Sequence, residues 1–155
     1  MEGGGAEKIM ASLLRNLKSE MEICLVTLYA GGRFLDEAGF LQGMTYHTLR
    51  AERGNTITFT WRLRKILLKE KPDKIISFLY YPNIITYLAV NGLDIPIILS
   101  ERSNHRFYLT RSFKHRVWRF LLGQAYRKAE KVVTVSDASA KFIMNDFGIA
   151  AGKIR

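Results

Sequence analysis

The chain has 155 residues, 48% of them hydrophobic, with 24 Lys and Arg against 14 Asp and Glu and a formal net charge of +10 at pH 7. That length suits one domain with a sizeable core, and the charge favours an anionic partner, whether nucleic acid, a phosphorylated ligand or an acidic membrane surface, without choosing among them. The single cysteine, Cys24, excludes an intrachain disulfide and a multi-cysteine metal site, no apolar run approaches the ~18 residues of a membrane span, and the N-terminus lacks the basic-then-apolar leader pattern.

Gly3-Gly4-Gly5-Ala6-Glu7 runs straight into a helix, with Ile9, Met10, Leu13, Leu14 and Leu17 at helical spacing. A glycine turn at a helix N-terminus presents unpaired N–H groups and the positive end of the helix dipole, which suits a phosphate. The competing reading is a flexible terminus, because a glycine triplet is costly to order. In α/β proteins such a turn follows a strand, and here only Met1 and Glu2 precede it. Residues 23–28 read as a strand with Cys24 as a small buried hydrophobe, residues 34–41 as a short helix ending at Gly43, and residues 44–49 as a strand. After a polar turn, residues 56–71 form a helix with Phe59, Leu63, Ile66 and Leu67 inward and Arg62, Lys65 and Lys69 outward, ended by Pro72-Asp73.

The second half repeats the alternation. Residues 75–79 are a strand, 80–83 a loop, 84–90 a helix stopping at Asn91-Gly92, and 95–99 a strand. A polar loop, 100–108, precedes a long helix over 113–128, a strand over 132–135 and a helix over 137–147 capped by Gly148. Lys153-Ile154-Arg155 opens a further strand. Near-continuous apolar strands alternating with helices indicate an α/β fold, a Rossmann-like three-layer α/β/α parallel sheet. Ligands of such sheets bind at the carboxyl ends of the strands, so function is expected at Gly31-Gly32, at residues 80–83, at residues 100–105 and at Ser136.

Several segments come in a recognisable order: Gly4-Gly5-Ala6-Glu7, Lys71-Pro72-Asp73-Lys74-Ile75-Ile76-Ser77, Ser100-Glu101-Arg102-Ser103-Asn104, Ala129 to Ser136, Phe147-Gly148-Ile149 and Lys153-Ile154. The set resembles the N-terminal domain of bacterial family 4 retaining glycosyltransferases over nearly the whole chain. The resemblance implies two Rossmann-like domains facing across a cleft and transfer of a sugar from a nucleotide-sugar donor to an acceptor. It implies that this half holds the acceptor, with its glycine turn near the donor phosphates, while the other half binds the nucleotide sugar. The Ser-Glu-Arg form of the loop is most similar to enzymes that build cell-surface polysaccharides on lipid-linked intermediates. Two departures follow. The family's first, central strand is missing, so the strands at Ile23 and Ile75 lose a shared partner and the sheet must close up, recruit a strand or lose stability. The nucleotide-sugar-binding C-terminal domain is also absent, so residues 1–155 are read as a fragment, inactive alone.

On that resemblance Gly3, Gly4 and Gly5 face the donor phosphate. Glu101 and His105 are the candidates for proton transfer or for hydrogen bonds to acceptor hydroxyls, and Arg102, Ser103 and Asn104 are further acceptor contacts. Asn83 and Ser136 line the cleft or, more simply, cap the helices that follow them. The competing reading of the 100–105 loop is a salt-bridged segment that only shapes the cleft. Between Arg102 and Lys131 basic residues interleave with Phe107, Tyr108, Phe113, Trp118 and Phe120. This stretch is either a basic amphipathic contact with an anionic membrane near a lipid-linked acceptor or an ordinary helix with its aromatics buried. A truncated, non-catalytic module that binds such a surface is the alternative function, and nucleic acid ranks behind both because no recognition motif is present. His47 and His115 have no second ligand at metal spacing, so no metal and no cofactor are expected. The expected location is the cytoplasm, peripheral at the inner face of the cell membrane.

Overall fold

The computed structural model describes residues 4–31, 34–37, 39–49, 55–102 and 113–155. They fall into two compact units, Met1–Pro72 and Asp73–Arg155. All strand pairings are parallel, in an α/β arrangement.

The first unit opens with helix α1 (Gly5–Leu17), whose N-cap is Gly4. Two parallel strands follow, β1 (Ile23–Thr27) and β2 (Met44–Thr48), with Ile23 opposite Met44 and Thr27 opposite Thr48. Leu25 packs with Ala11 and Phe40 in a core that also gathers Met10, Leu14, Met44 and Tyr46. The helix expected over 34–41 is not formed. The described residues there make successive tight turns, with the N–H groups of Phe40, Gln42 and Met44 bonding the carbonyls of Glu37, Gly39 and Leu41. Gly39 and Gly43 take φ of 76° and 79°, which a helix does not accommodate. Helix α2 (Thr56–Glu70) starts where the Asn55 side chain accepts from the Thr58 N–H and ends at Lys71 in the left-handed region. Phe59, Leu63 and Leu67 are buried as their spacing predicts. Arg62, expected to point outward, is half-buried and donates to the Leu49 carbonyl.

The second unit runs β3 (Ile75–Phe78), α3 (Tyr80–Ala89), β4 (Ile97–Glu101), α4 (Phe113–Lys128), β5 (Lys131–Thr134) and α5 (Asp137–Phe147). The strand order is β3-β4-β5. Ile154 adds a parallel bridge to Val132, so the strand begun at residue 153 in the sequence reading does reach the sheet edge. Ile97, Leu99 and Val132 are buried on the sheet, and Ile84, Ile85, Leu122, Tyr126 and Ile143 are buried on the helices. Two boundaries move. α3 begins at Tyr80 and absorbs the loop expected over 80–83. β4 spans 97–101 instead of 95–99, because Pro96 has no N–H and contributes only its carbonyl, which accepts from Ile75. Ser100 and Glu101 therefore belong to a strand, not to a loop.

The described strands form two parallel sheets, β1-β2 and β3-β4-β5. No described strand precedes α1.

Candidate functional site

In the second unit the parallel strands deliver their carboxyl ends to one rim: Phe78-Leu79 from β3, Glu101-Arg102 from β4 and Thr134-Val135-Ser136 from β5. The register aligns Phe78 with Ser100 and Glu101 with Thr134. Leu79 sits there with φ of 76°, a left-handed conformation that a non-glycine residue adopts only at a cost of ~1–3 kcal/mol. Its N–H bonds the Ser100 carbonyl at 3.0 Å, and it serves as N-cap of α3 without a side-chain bond.

Glu101 is 0% exposed and accepts a 2.7 Å hydrogen bond from the hydroxyl of Tyr126, also 0% exposed. α4 thus grips the end of β4 from beneath the rim. Asn83 does not cap α3. It lies within the helix, fully buried, and its Nδ2 donates to the Ser100 carbonyl at 3.4 Å. Among the described residues its Oδ1 and the buried Ser77 hydroxyl have no hydrogen-bond partner. Buried polar atoms in that condition are uncommon and costly. Ser136 does cap: its Oγ accepts from the Ser139 N–H at 3.2 Å, at the carboxyl end of β5. Arg102 is half-buried immediately after β4, whereas Ser103, Asn104 and His105 lie outside the described residues, as does Gly3. A depression of about 330 Å³ lined by Tyr87, Val90, Gln124 and Arg127 lies at the carboxyl ends of α3 and α4, at the opposite end of this unit from the rim.

In the first unit, the N–H of Gly4 is bonded by the Glu7 carboxylate at 3.2 Å, so the helix supplies an anion to its own N-terminus. A Cβ placed on Gly4 or Gly5 would meet nothing within 4 Å. The turn itself therefore does not require glycine at either position, and close approach of something outside the chain would be the reason to keep it.

Helix α4 carries a second feature. Phe113 is 79% exposed, Val117 42% and Phe120 63%. At spacings of four and three these form one stripe, with His115 and Arg116 exposed beside it. Trp118 instead turns inward against Tyr81, ring centroids 5.3 Å apart. The reading in which the aromatics of α4 are all buried does not hold for Phe113 and Phe120.

The family model for Glycosyltransferase Family 4 matches residues 3–155. The chain belongs to glycosyltransferase family 4. A family relative from Campylobacter jejuni, named as the GalNAc-alpha-(1->4)-GalNAc-alpha-(1->3)-diNAcBac-PP-undecaprenol alpha-1,4-N-acetyl-D-galactosaminyltransferase, is 31% identical over 131 residues, 81% of this chain and 35% of its own. The solved structure of the lipopolysaccharide outer core galactosyltransferase WaaB, apo form, superposes with a TM-score of 0.71 at 14% identity, covering 99% of this chain and 41% of that one. The latter likeness establishes the Rossmann-like α/β fold. The chain spans a little over a third of one protein and about two-fifths of the other. The resemblance read from the sequence motifs is borne out.

Outside the family motifs, the fold assembles one group that sequence spacing concealed. Cys24, His47 and Glu70 place a sulfur, a ring nitrogen and a carboxylate oxygen within 4.8 Å of one another. His47 therefore does have potential co-ligands, contrary to the expectation from spacing. Burial pushes the Cys24 thiol up, and the Glu70 carboxylate adds to the effect. Hydrogen bonds from Lys69 and then from His47 hold the Glu70 carboxyl below its ordinary range. Among the described residues no helix is long and apolar enough to cross a membrane.

Proposed function

We propose that this chain is the acceptor-side domain of a glycosyltransferase that moves a sugar from a nucleotide-sugar donor to a lipid-linked glycan during cell-surface polysaccharide synthesis. The observation that carries the reading is the family match over residues 3–155, supported by a relative named for a glycan on PP-undecaprenol. The nucleotide sugar would be held by a second, C-terminal domain outside this chain.

Within the reading, transition-state stabilisation is largely electrostatic, at the donor phosphates. The backbone N–H groups at Gly4 and Gly5 would contribute there, once a phosphate replaces the Glu7 carboxylate at Gly4. The acceptor would meet the rim of the second unit. Arg102 would pair with a phosphate of the lipid carrier, and Ser103, Asn104, His105 and Ser136 would take acceptor hydroxyls, His105 being the candidate for proton transfer. Glu101 and Asn83, both fully buried, would act through the strand ends they hold.

The exposed Phe113–Val117–Phe120 stripe with its basic neighbours supports a peripheral contact with an anionic membrane surface, where a lipid-linked acceptor resides. On this reading the enzyme works on the cytoplasmic face. The native gene product, incubated with a panel of labelled nucleotide sugars and lipid-linked glycans, is expected to label the lipid fraction. Arg102→Ala is expected to raise the acceptor KM more than it lowers kcat. Labelling by no donor in the panel would refute the proposal.

A further inference from the structure

Away from the strand-end rim, three side chains from three elements converge in the first unit: Cys24 from β1, His47 from β2 and Glu70 from the last turn of α2. One ligand-capable atom from each lies within 4.8 Å of the others, and all three residues are half-buried. The register explains the first two. Cys24 stands opposite Thr45 and Val26 opposite His47, so Cys24 and His47 are two positions apart on one face of the pair. The end of α2 then brings the Glu70 Oε1 to 2.9 Å from the His47 Nε2.

We propose that Cys24, His47 and Glu70 form a zinc-binding site with three protein ligands and an open fourth position. Thiolate, imidazole and carboxylate together suit zinc and cobalt and are poorly matched to the all-oxygen preference of magnesium or calcium. The two anionic ligands offset the charge of the dication. Metal–ligand bonds of about 2.0–2.3 Å would put the ligand atoms roughly 3.3–3.7 Å apart. The present spread is thus within reach of side-chain rotation, without moving the backbone. Lys69, whose Nζ lies 3.1 Å from Glu70, is 74% exposed and can withdraw into solvent. A bound ion would staple β1, β2 and α2 together in a unit whose sheet has two strands among the described residues, a pairing that is marginal on its own. This inference does not rest on the glycosyl-transfer reading.

The 155-residue chain titrated with cobalt(II) tests it directly. The expected result is one equivalent bound, with the visible bands of a tetrahedral ion and a thiolate-to-cobalt charge-transfer band, both displaced by zinc. Zinc should also raise the melting temperature. Cys24→Ser should abolish the charge-transfer band, and His47→Gln and Glu70→Gln should each weaken binding at least about tenfold, the scale on which even supporting partners of a metal site count. Lys69→Ala, which removes the ammonium that competes for the Glu70 carboxylate and supplies no ligand itself, should bind at least as tightly as the parent and serves as the control for any variant whose circular dichroism shows a folding defect. Absence of the cobalt spectrum in the parent and in Lys69→Ala would overturn the proposal. So would a charge-transfer band that survives Cys24→Ser, or binding unchanged in both His47→Gln and Glu70→Gln.

Discussion

Tyr126→Phe isolates the bond that holds the end of β4. The substitution deletes only the hydroxyl oxygen that donates to Glu101 at 2.7 Å. The ring remains, with its edge-on packing against Phe147 at a centroid distance of 5.3 Å. Both partners are 0% exposed, so water cannot take over the lost bond without opening the fold. A hydrogen bond to a charged group contributes about 1.5–3 kcal/mol. Glu101 has a further interaction besides this one, so its carboxylate is not stranded, and the expected loss lies in the lower half of that range, about 1.5–2 kcal/mol. For a chain of this size that corresponds to a melting temperature lower by roughly 3–8 °C. Urea unfolding followed by far-ultraviolet circular dichroism should show a lower midpoint with an unchanged slope. A double-mutant cycle with Glu101→Gln should return a coupling of at least about 1 kcal/mol. A loss under ~0.5 kcal/mol, the scatter of ordinary surface substitutions, would refute the view that Glu101 works through Tyr126.

Three further outcomes are expected. Leu79→Gly, at φ of 76° and 37% exposed, should relieve more backbone strain than the partial burial it gives up and raise the urea midpoint; a lower midpoint would mean that the leucine side chain matters more than its backbone. Gly5→Ala should stabilise the first unit by about 0.5–1 kcal/mol, since Gly5 is helical and a Cβ there meets nothing within 4 Å. In the full-length enzyme the same change should weaken donor binding if a phosphate approaches that turn, and an unaltered donor KM would remove Gly5 from the site. Phe113→Ser with Phe120→Ser should abolish co-sedimentation with anionic vesicles while leaving the melting temperature within a few degrees, because both rings are exposed; retained binding would assign the membrane contact to charge alone.

The sequence by itself determined what local chemistry can determine. Periodicity located the five α-helices of the described residues, and capping residues marked both ends of α5: Ser136 opens it and Gly148, at φ of 64°, closes it. The ordered family motifs predicted the family that residues 3–155 match. Apolar spacing also suggested a helix over 34–41, where glycine backbone preferences prevailed over periodicity. At residues 80–83 a proline and an asparagine read as a loop, yet a proline in the first turn of a helix costs no hydrogen bond.

Only the tertiary structure decided the rest, because it depends on contacts between residues far apart in the chain. That Glu101 faces inward follows from the parity of β4, which aligns it with Ile97 and Leu99 on the buried side. Its partner Tyr126 is 25 residues away. Whether the aromatics of α4 face the core or solvent depends on which stripe α3 and α5 leave uncovered, and composition is blind to that. The Cys24–His47–Glu70 group depends on strand register and on where α2 ends, and has no local spacing to betray it. Local propensity and pattern write the elements; register and packing choose which side chains meet.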